Sequence, residues 1–279
     1  MKVRFWGVRG SFAMSGREFL RYGGNTTSIE VVTAAGQRLL VDLGTGATEL
    51  AKQLMGSEFG KGQGSLDILL THTHLDHIQG LPFFTPFFIK GNEIRIKGAN
   101  PSSGLSLEST LQNQLAPHYS PLNGLENLAA GVTIESFTPG DTLKLPGYEV
   151  ATAAVPHGSM WTTGLRITAD GKVLTILTDV EYPTPDDPLP EAIALAQGAD
   201  LLIHDAMHAD HDYEMRRGWG HSPARAGVVL AERAGAKKLA LFHHSPDATD
   251  EMIDDVVQRT AERTSVPVFA AGEGAYVDV

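Results

Sequence analysis

Short apolar runs recur along the whole chain, many alternating with polar residues, and Gly, Pro and Asp gather in the gaps between them. Alternation with period two marks strands with unlike faces, and the turn residues mark where they end. The pattern predicts strands over Val3–Val8, Ser28–Thr33, Arg38–Asp42, Leu66–Thr71, Glu93–Lys97 and Val132–Phe137. It predicts six more over Tyr148–Val155, Gly164–Thr168, Val173–Thr178, Asp200–His204, Lys238–Phe242 and Val266–Phe269. Helical spacing predicts helices over Gly46–Met55, Ser106–Leu115, Glu191–Gln197, Pro223–Ala234 and Asp247–Arg263. The fourth of these has its start written in the chain: Ser222 supplies a capping hydroxyl and Pro223 suits the first helical position.

Strands come first in hairpin-like pairs and later alternate with helices, which predicts two sheets layered with helices. No tandem repeat, low-complexity tract or linker interrupts the 279 residues, so one domain is expected. Residues 81–122 stand apart, because "LPFFTPFFIKGN" crowds four phenylalanines around two prolines. That segment is expected to be a flap packed on the core, or else a lid or dimer contact over the active site.

Composition narrows the picture. There is no cysteine, which excludes disulfides and thiolate metal sites and fits a cytoplasmic protein. No apolar run approaches the roughly eighteen residues of a membrane span, and the N-terminus lacks a secretory signal, so no membrane partner is expected. The net charge of −11 disfavours long-range attraction to a nucleic-acid backbone. Residues 1–21 run against that balance, with Lys2, Arg4, Arg9, Arg17 and Arg21 facing only Glu18. They are either a solvated edge or a cationic rim for a small anionic substrate.

The chemistry gathers in "LLTHTHLDHIQG", residues 69–80, directly behind an apolar strand. On extended backbone His72 and His74 point the same way, and Asp76 and His77 follow as the chain turns. Imidazole and carboxylate together suit Zn²⁺ and related borderline ions. Single polar residues also close other apolar strands: His157 in "AAVPHGSMW", Asp179 in "LTILTDVEY", and His243 with His244 in "LALFHHSPD". The carboxyl ends of strands are where sheet-based enzymes commonly build their sites.

These residues, together with "VDLGTG" from Val41 to Gly46, resemble the metallo-β-lactamase superfamily in type and order over most of the chain. The resemblance implies a four-layer αββα sandwich holding two divalent metal ions, Zn²⁺ first, with Mn²⁺ or Fe²⁺ open. It implies that His72, His74 and His157 bind one ion and that Asp76, His77 and His243 bind the other, with Asp179 bridging. His243 fits the pattern better than His244. Asp42 matches an aspartate that lies under the metals and orients a ligand.

Two further features point to the ribonuclease Z-like and cyclic-phosphate phosphodiesterase branch. "IHDAMHADHD" followed by "WGHSPARAG" resembles that branch's carboxylate–histidine pair, which implies that Asp205, standing where Glu is usual, supports His221 as it contacts and assists the leaving oxygen. The opening "MKVRFWGVRGSF" with "YGGNTTSIEV" resembles members acting on cyclic phosphates and cyclic nucleotides, with Asn25 as a substrate-side amide. The expected reaction is attack of a metal-bound hydroxide on a small phosphodiester, with Asp76 or Asp179 able to hydrogen-bond the nucleophile as well as ligate, and with the His221–Asp205 pair helping the leaving group. Between His157 and Asp179 there is no room for the arm that transfer-RNA nucleases of the family carry, so no stable nucleic-acid partner is expected. A homodimer is expected by analogy. A transfer-RNA 3′-processing nuclease, a thioesterase or lactonase, and a non-catalytic metal-binding protein stay open as alternatives.

Overall fold

The computed structural model describes residues 1–279. Two seven-stranded sheets organise the chain. The first is built from β1 (Lys2–Gly7), β2 (Ser28–Val32), β3 (Arg38–Val41), β4 (Ser65–Leu70), β5 (Glu93–Ala99), β6 (Gly131–Phe137) and the C-terminal β14 (Tyr276–Asp278), in the order β14-β1-β2-β3-β4-β5-β6. The second holds β7 (Thr142–Leu145), β8 (Tyr148–His157), β9 (Met160–Ala169), β10 (Lys172–Leu177), β11 (Leu201–Asp205), β12 (Leu239–Phe242) and β13 (Val268–Ala270), in the order β13-β12-β11-β10-β9-β8-β7. Helices α1 (Ala47–Met55), α2 (Leu75–Ile78), α3 (Leu107–Gln114), α4 (Pro190–Ala196), α5 (Tyr213–Arg216), α6 (Ala224–Ala234) and α7 (Asp250–Ala261) complete it.

Strand alternation explains the layering. In β4, Leu69 enters one core with Phe5, Ile29 and Val41 of its own sheet and Ile167, Ile176, Ile203 and Phe242 of the other, so the two sheets face each other. Its neighbours Leu66, Ile68 and Leu70 point the opposite way and pack with Leu50 and Leu54 of α1 and Leu111 of α3. On the far side, Leu177, Leu202 and Leu239 pack with Leu195 of α4 and Leu230 of α6. The result is helix, sheet, sheet, helix, the expected αββα sandwich. Each fully buried aliphatic or Phe side chain contributes roughly 1.5–3 kcal/mol, so the three apolar clusters outweigh any single polar contact.

The hydrophobic pattern misses β7 and β14, both short edge strands, where burial on one face is too slight to leave a clear alternation. Ser222 does not cap α6. Its hydroxyl donates instead to the Val180 carbonyl at 2.6 Å, and Pro223 takes the cap position with no side-chain bond. The helix expected from Asp247 begins at Asp250, capped by Thr249, whose Oγ1 accepts from the Met252 amide at 3.3 Å.

Residues 81–122 need the largest correction. They are no separate flap, because β5 lies inside them and pairs in parallel with β4 on one side and β6 on the other. Leu81, Phe84 and Phe87 are wholly buried under α1, and Leu107, Leu111 and Leu115 seat α3 on the same core. The prolines start two 3-10 turns that aim these rings inward, and only Phe83, 61% exposed, faces solvent among the four phenylalanines to any large extent. No helix is long and apolar enough to cross a membrane.

Candidate metal centre

Strand ends assemble the site. After β4, residues 71–74 run extended into α2, whose single turn brings Asp76 and His77 back toward His72. β8 closes on His157, β10 is followed by Asp179, and β12 by His243. Five non-glycine residues have left-handed backbone: Ser11, Asp42, Asp170, Asp179 and His243. All but Asp170 lie at this centre, where tertiary packing holds a conformation costing on the order of 1–3 kcal/mol.

The expected ligands converge in two groups. Donor atoms of His72, His74 and His157 lie within 4.8 Å of one another, as do those of Asp76, His77, Asp179 and His243. Asp179 spans the groups with its two oxygens. Its Oδ1 lies 3.8 Å from His72 Nε2 and 4.0 Å from His157 Nε2, while Oδ2 lies 3.2 Å from His77 Nε2 and 3.3 Å from His243 Nε2.

Outer hydrogen bonds fix which nitrogen faces the centre. His77 Nδ1 donates to Asp42 Oδ2 at 2.8 Å, and Asp42 also accepts from the Thr71 amide and hydroxyl, each at 2.8 Å. His157 Nδ1 donates to the Gly220 carbonyl at 2.6 Å. Such bonds leave each Nε2 as a lone-pair donor aimed inward. Asp76 Oδ2 accepts the Ser11 amide at 2.7 Å.

His72 turns Nδ1 to the Thr71 hydroxyl at 3.2 Å, and its Nε2, like that of His77, is buried with no hydrogen-bond partner. An unpaired buried polar atom costs about 1–3 kcal/mol, and the rings of His72 and His77 sit only 4.1 Å apart. Borderline divalent ions coordinate imidazole and carboxylate at about 2.0–2.2 Å, so a pair of them fits this donor set and relieves the crowding. The charges call for a cation: burial opposes protonation of His77, but Asp179, Asp76 and Asp42 outweigh it and hold its pKa well above 6.5, so a bound ion takes the place of the proton on its Nε2. Burial alone would favour a neutral Asp179, yet His243, His77 and His72 outweigh it and hold the carboxyl well below its usual range. Burial, with the neighbouring imidazoles, pushes His72 well down, so its nitrogen stays a free ligand.

Beside the ligands stands the second expected constellation. Asp205 closes β11, and its Oδ2 lies 2.8 Å from His221 Nδ1. Asp205 Oδ1 accepts from the Met207 amide at 3.0 Å and the Ser222 amide at 3.3 Å. The His221 ring stacks on His243 at 5.0 Å and meets His157 edge-on at 4.9 Å. Burial opposes protonation of His221, but the charge and hydrogen bond of Asp205 prevail, with help from Asp179 and Asp76, and push its pKa up to about 9.

Other expected residues lie elsewhere. His244 turns Nε2 to the Ala271 carbonyl at 3.0 Å and takes no part in either group. The Asn25 side-chain amide donates to Glu273 at 2.9 Å, and neither belongs to the ligand groups. Three of the five N-terminal cations are engaged within the fold: Arg9 is buried and donates to the Gly23, Ser245 and Ala248 carbonyls, Arg4 bonds Gln53 and Tyr276, and Arg21 pairs with Asp254. Sequence reasoning missed Glu181, whose oxygens accept the Gly218 and Gly220 amides at 2.6 and 2.7 Å and so set the carbonyl that holds His157. It also missed Gly10 and Ser11.

Residues 37–244 match the family model described as a beta-lactamase superfamily domain. The chain is 31% identical over 268 residues to a ribonuclease Z of Bradyrhizobium sp., covering 80% of this chain and 85% of that protein. With a ribonuclease Z of Brevibacillus brevis it shares 38% identity over 112 residues, 36% of this chain and 35% of that one. In three dimensions it resembles the metallo-β-lactamase fold protein YhfI of Bacillus subtilis, with a TM-score of 0.72 at 20% identity over 99% of this chain and 98% of the other.

Proposed function

The chain belongs to the β-lactamase superfamily, in its ribonuclease Z-like branch, and is a metal-dependent hydrolase; from that premise we propose that it cleaves a small phosphodiester, a cyclic nucleotide or cyclic phosphate first among them. The observation that carries this reading is the 2.8 Å contact of His221 Nδ1 with Asp205, set against His157 and His243. A poor alkoxide leaving group needs such a proton donor.

In this reading His72, His74 and His157 hold one divalent ion, Asp76, His77 and His243 the other, and Asp179 both, with zinc the first candidate. When bound, the ions supply Lewis-acid activation of water and of the phosphoryl oxygen. Asp205 accepts from Nδ1–H and keeps the His221 ring protonated, so Nε2–H is turned away from Asp205 and free to be given. As the P–O bond to the leaving group breaks, that oxygen takes the Nε2 proton, and the Asp205 charge has kept the proton in place until then. Asp76 is fixed by the Ser11 amide through the oxygen that also nears His243, so it is held still as a ligand.

A small substrate is favoured by the net charge of −11 and by the tight connections of β8 to β9 to β10, where only residues 158–159 and 170–171 separate the strands. The ribonuclease Z relatives favour a second reading, an RNA substrate. Turnover of bis-p-nitrophenyl phosphate, cyclic nucleotides, precursor transfer RNA, a thioester and a homoserine lactone, by wild type and His221→Ala, separates these. Preferential loss on phosphodiesters with poor leaving groups supports the proposal, and turnover of only the thioester or lactone refutes it. Association as a homodimer is part of the same proposal, and a monomer mass in light scattering removes it.

A further inference from the structure

His221 sits in residues 217–222, between α5 and α6, a stretch that is neither helix nor strand. No backbone ladder holds it, so other acceptors must take its amides. Gly218 and Gly220 donate to the two oxygens of Glu181 at 2.6 and 2.7 Å, and Ser222 donates to Asp205 Oδ1 at 3.3 Å. The Trp219 amide goes to the Arg216 carbonyl at 3.1 Å. His221 therefore lies between one carboxylate that grips the chain before it and another that grips the chain after it.

Glu181 belongs to the same short segment as Asp179, whose oxygens span both ligand groups. Its own amide donates to the Pro156 carbonyl at 2.8 Å, next to His157, and the neighbouring Val180 carbonyl accepts the Ser222 hydroxyl at 2.6 Å. The segment after β10 thus ties the end of β8 to the stretch that carries His221. The fit leaves no slack. A Cβ on Gly220 would lie 2.2 Å from His157 Nδ1, and one on Gly158 would lie 2.9 Å from the Gly218 carbonyl oxygen. Gly218 and Gly220 both have left-handed backbone, with φ of 89° and 94°, which bulkier residues rarely adopt.

The chemistry of the carboxyl group matters as much as its place. An ionised carboxyl accepts at both oxygens, and charge-assisted hydrogen bonds are the stronger kind. Glu181 is buried, so water competes little for the two amides. A glutamine there would offer one oxygen and set its own N–H groups against a backbone N–H.

We infer that Glu181 is a positioning residue for the acid step: it fixes where His221 stands relative to the metal ligands and, through the Gly220 carbonyl, fixes His157 as well. The link to catalysis rests on the phosphodiesterase reading, but the placement does not, and two readouts need no substrate. In zinc-loaded protein the His221 Nδ1 proton, bonded to Asp205 at 2.8 Å, is expected far downfield in the proton NMR spectrum, and its loss in His221→Ala identifies it. Glu181→Gln is expected to broaden or remove that resonance. It is also expected to weaken the first ion by about 10–100-fold in competition with a chromogenic chelator, with the second ion little changed. A merely structural carboxylate would weaken both ions alike, or neither.

At saturating zinc, Glu181→Gln is expected to lower kcat on cyclic AMP by about 10–100-fold and to spare bis-p-nitrophenyl phosphate, whose leaving group needs no proton. In a His221→Ala background the same change is expected to add little, because no acid is left to place. Circular dichroism checks the fold. Should Glu181→Gln not fold, Glu181→Asp, which keeps the charge on a shorter side chain, is measured in the same ways. An unchanged His221 resonance, equal loss of both ions, or equal loss on the two substrates overturns the inference. A wild type inactive on cyclic AMP counts against the proposed substrate alone, and the resonance and the chelator then decide.

Discussion

A side chain on Gly10 would collide with His243: a Cβ built there lies 2.4 Å from Cε1 and 2.5 Å from Nδ1 of the imidazole. The next residue, Ser11, gives its amide to Asp76, so one short N-terminal loop supports two of the proposed ligands of the second ion. Arg9 ties the same loop to the segment after β12 through the Ser245 and Ala248 carbonyls. Gly10→Ala is therefore expected to displace His243 and lower affinity for the second ion by about 10–100-fold, as disrupted ligand support commonly does. Elemental analysis should find close to one equivalent per chain instead of two. Gly131→Ala, whose Cβ meets nothing closer than 3.5 Å, should keep both.

Asp42 lets charge be separated from shape. It adopts a φ of 64°, which Asn tolerates, and it accepts from His77 and twice from Thr71. Asp42→Asn should preserve the turn yet weaken the hold on the His77 tautomer. Metal affinity is expected to fall by about 10–100-fold with little change in the circular dichroism spectrum. Competition with a chromogenic chelator measures it.

His221 predicts a leaving-group signature. His221→Ala should lower kcat by about 10²–10⁴-fold on substrates that release an alkoxide, and far less on bis-p-nitrophenyl phosphate, whose leaving group needs no proton. The pH dependence has a definite sign. The His221 pKa is raised from the ordinary 6.5 to about 9, so the acid is present through neutrality and is lost as pH rises through about 9. Rate on an alkoxide substrate should fall on that limb in wild type, and His221→Ala should lack it.

Much of this centre is legible in the chain because the proposed ligands follow apolar runs that end abruptly. His157, Asp179 and His243 could be picked out that way, since a polar residue closing a buried strand must be placed by something. The supports are not legible. Gly10 and Glu181 act through a steric limit and two backbone amides, and neither leaves a pattern in residue type. Residues 81–122 misled for a related reason: the Phe–Pro run suggests a flap or lid added to the fold, although the strand predicted over Glu93–Lys97 is β5, which lies between two neighbours inside the sheet. Ser222 misled because a residue of capping type served a distant carbonyl instead.

His244 supplies a stability test. Burial holds its pKa down to about 4, against 6.5 when unfolded. A depressed histidine stabilises the fold fully above 6.5 and loses that contribution as pH falls from 6.5 toward 4, where the unfolded chain gains a proton first. Urea unfolding of metal-free wild type should therefore weaken over that window. His244→Gln can still donate to the Ala271 carbonyl without titrating, and its stability should decline less steeply.

Metal stoichiometry tests the central claim most directly. Purified protein dialysed against zinc should hold two equivalents per chain, Asp179→Ala should lose both together because its two oxygens serve both groups, and His72→Ala/His74→Ala should lose the first ion and phosphodiester turnover with it. A wild-type protein that retains no metal, or a His72→Ala/His74→Ala protein that still cleaves phosphodiesters at the wild-type rate, would contradict the account.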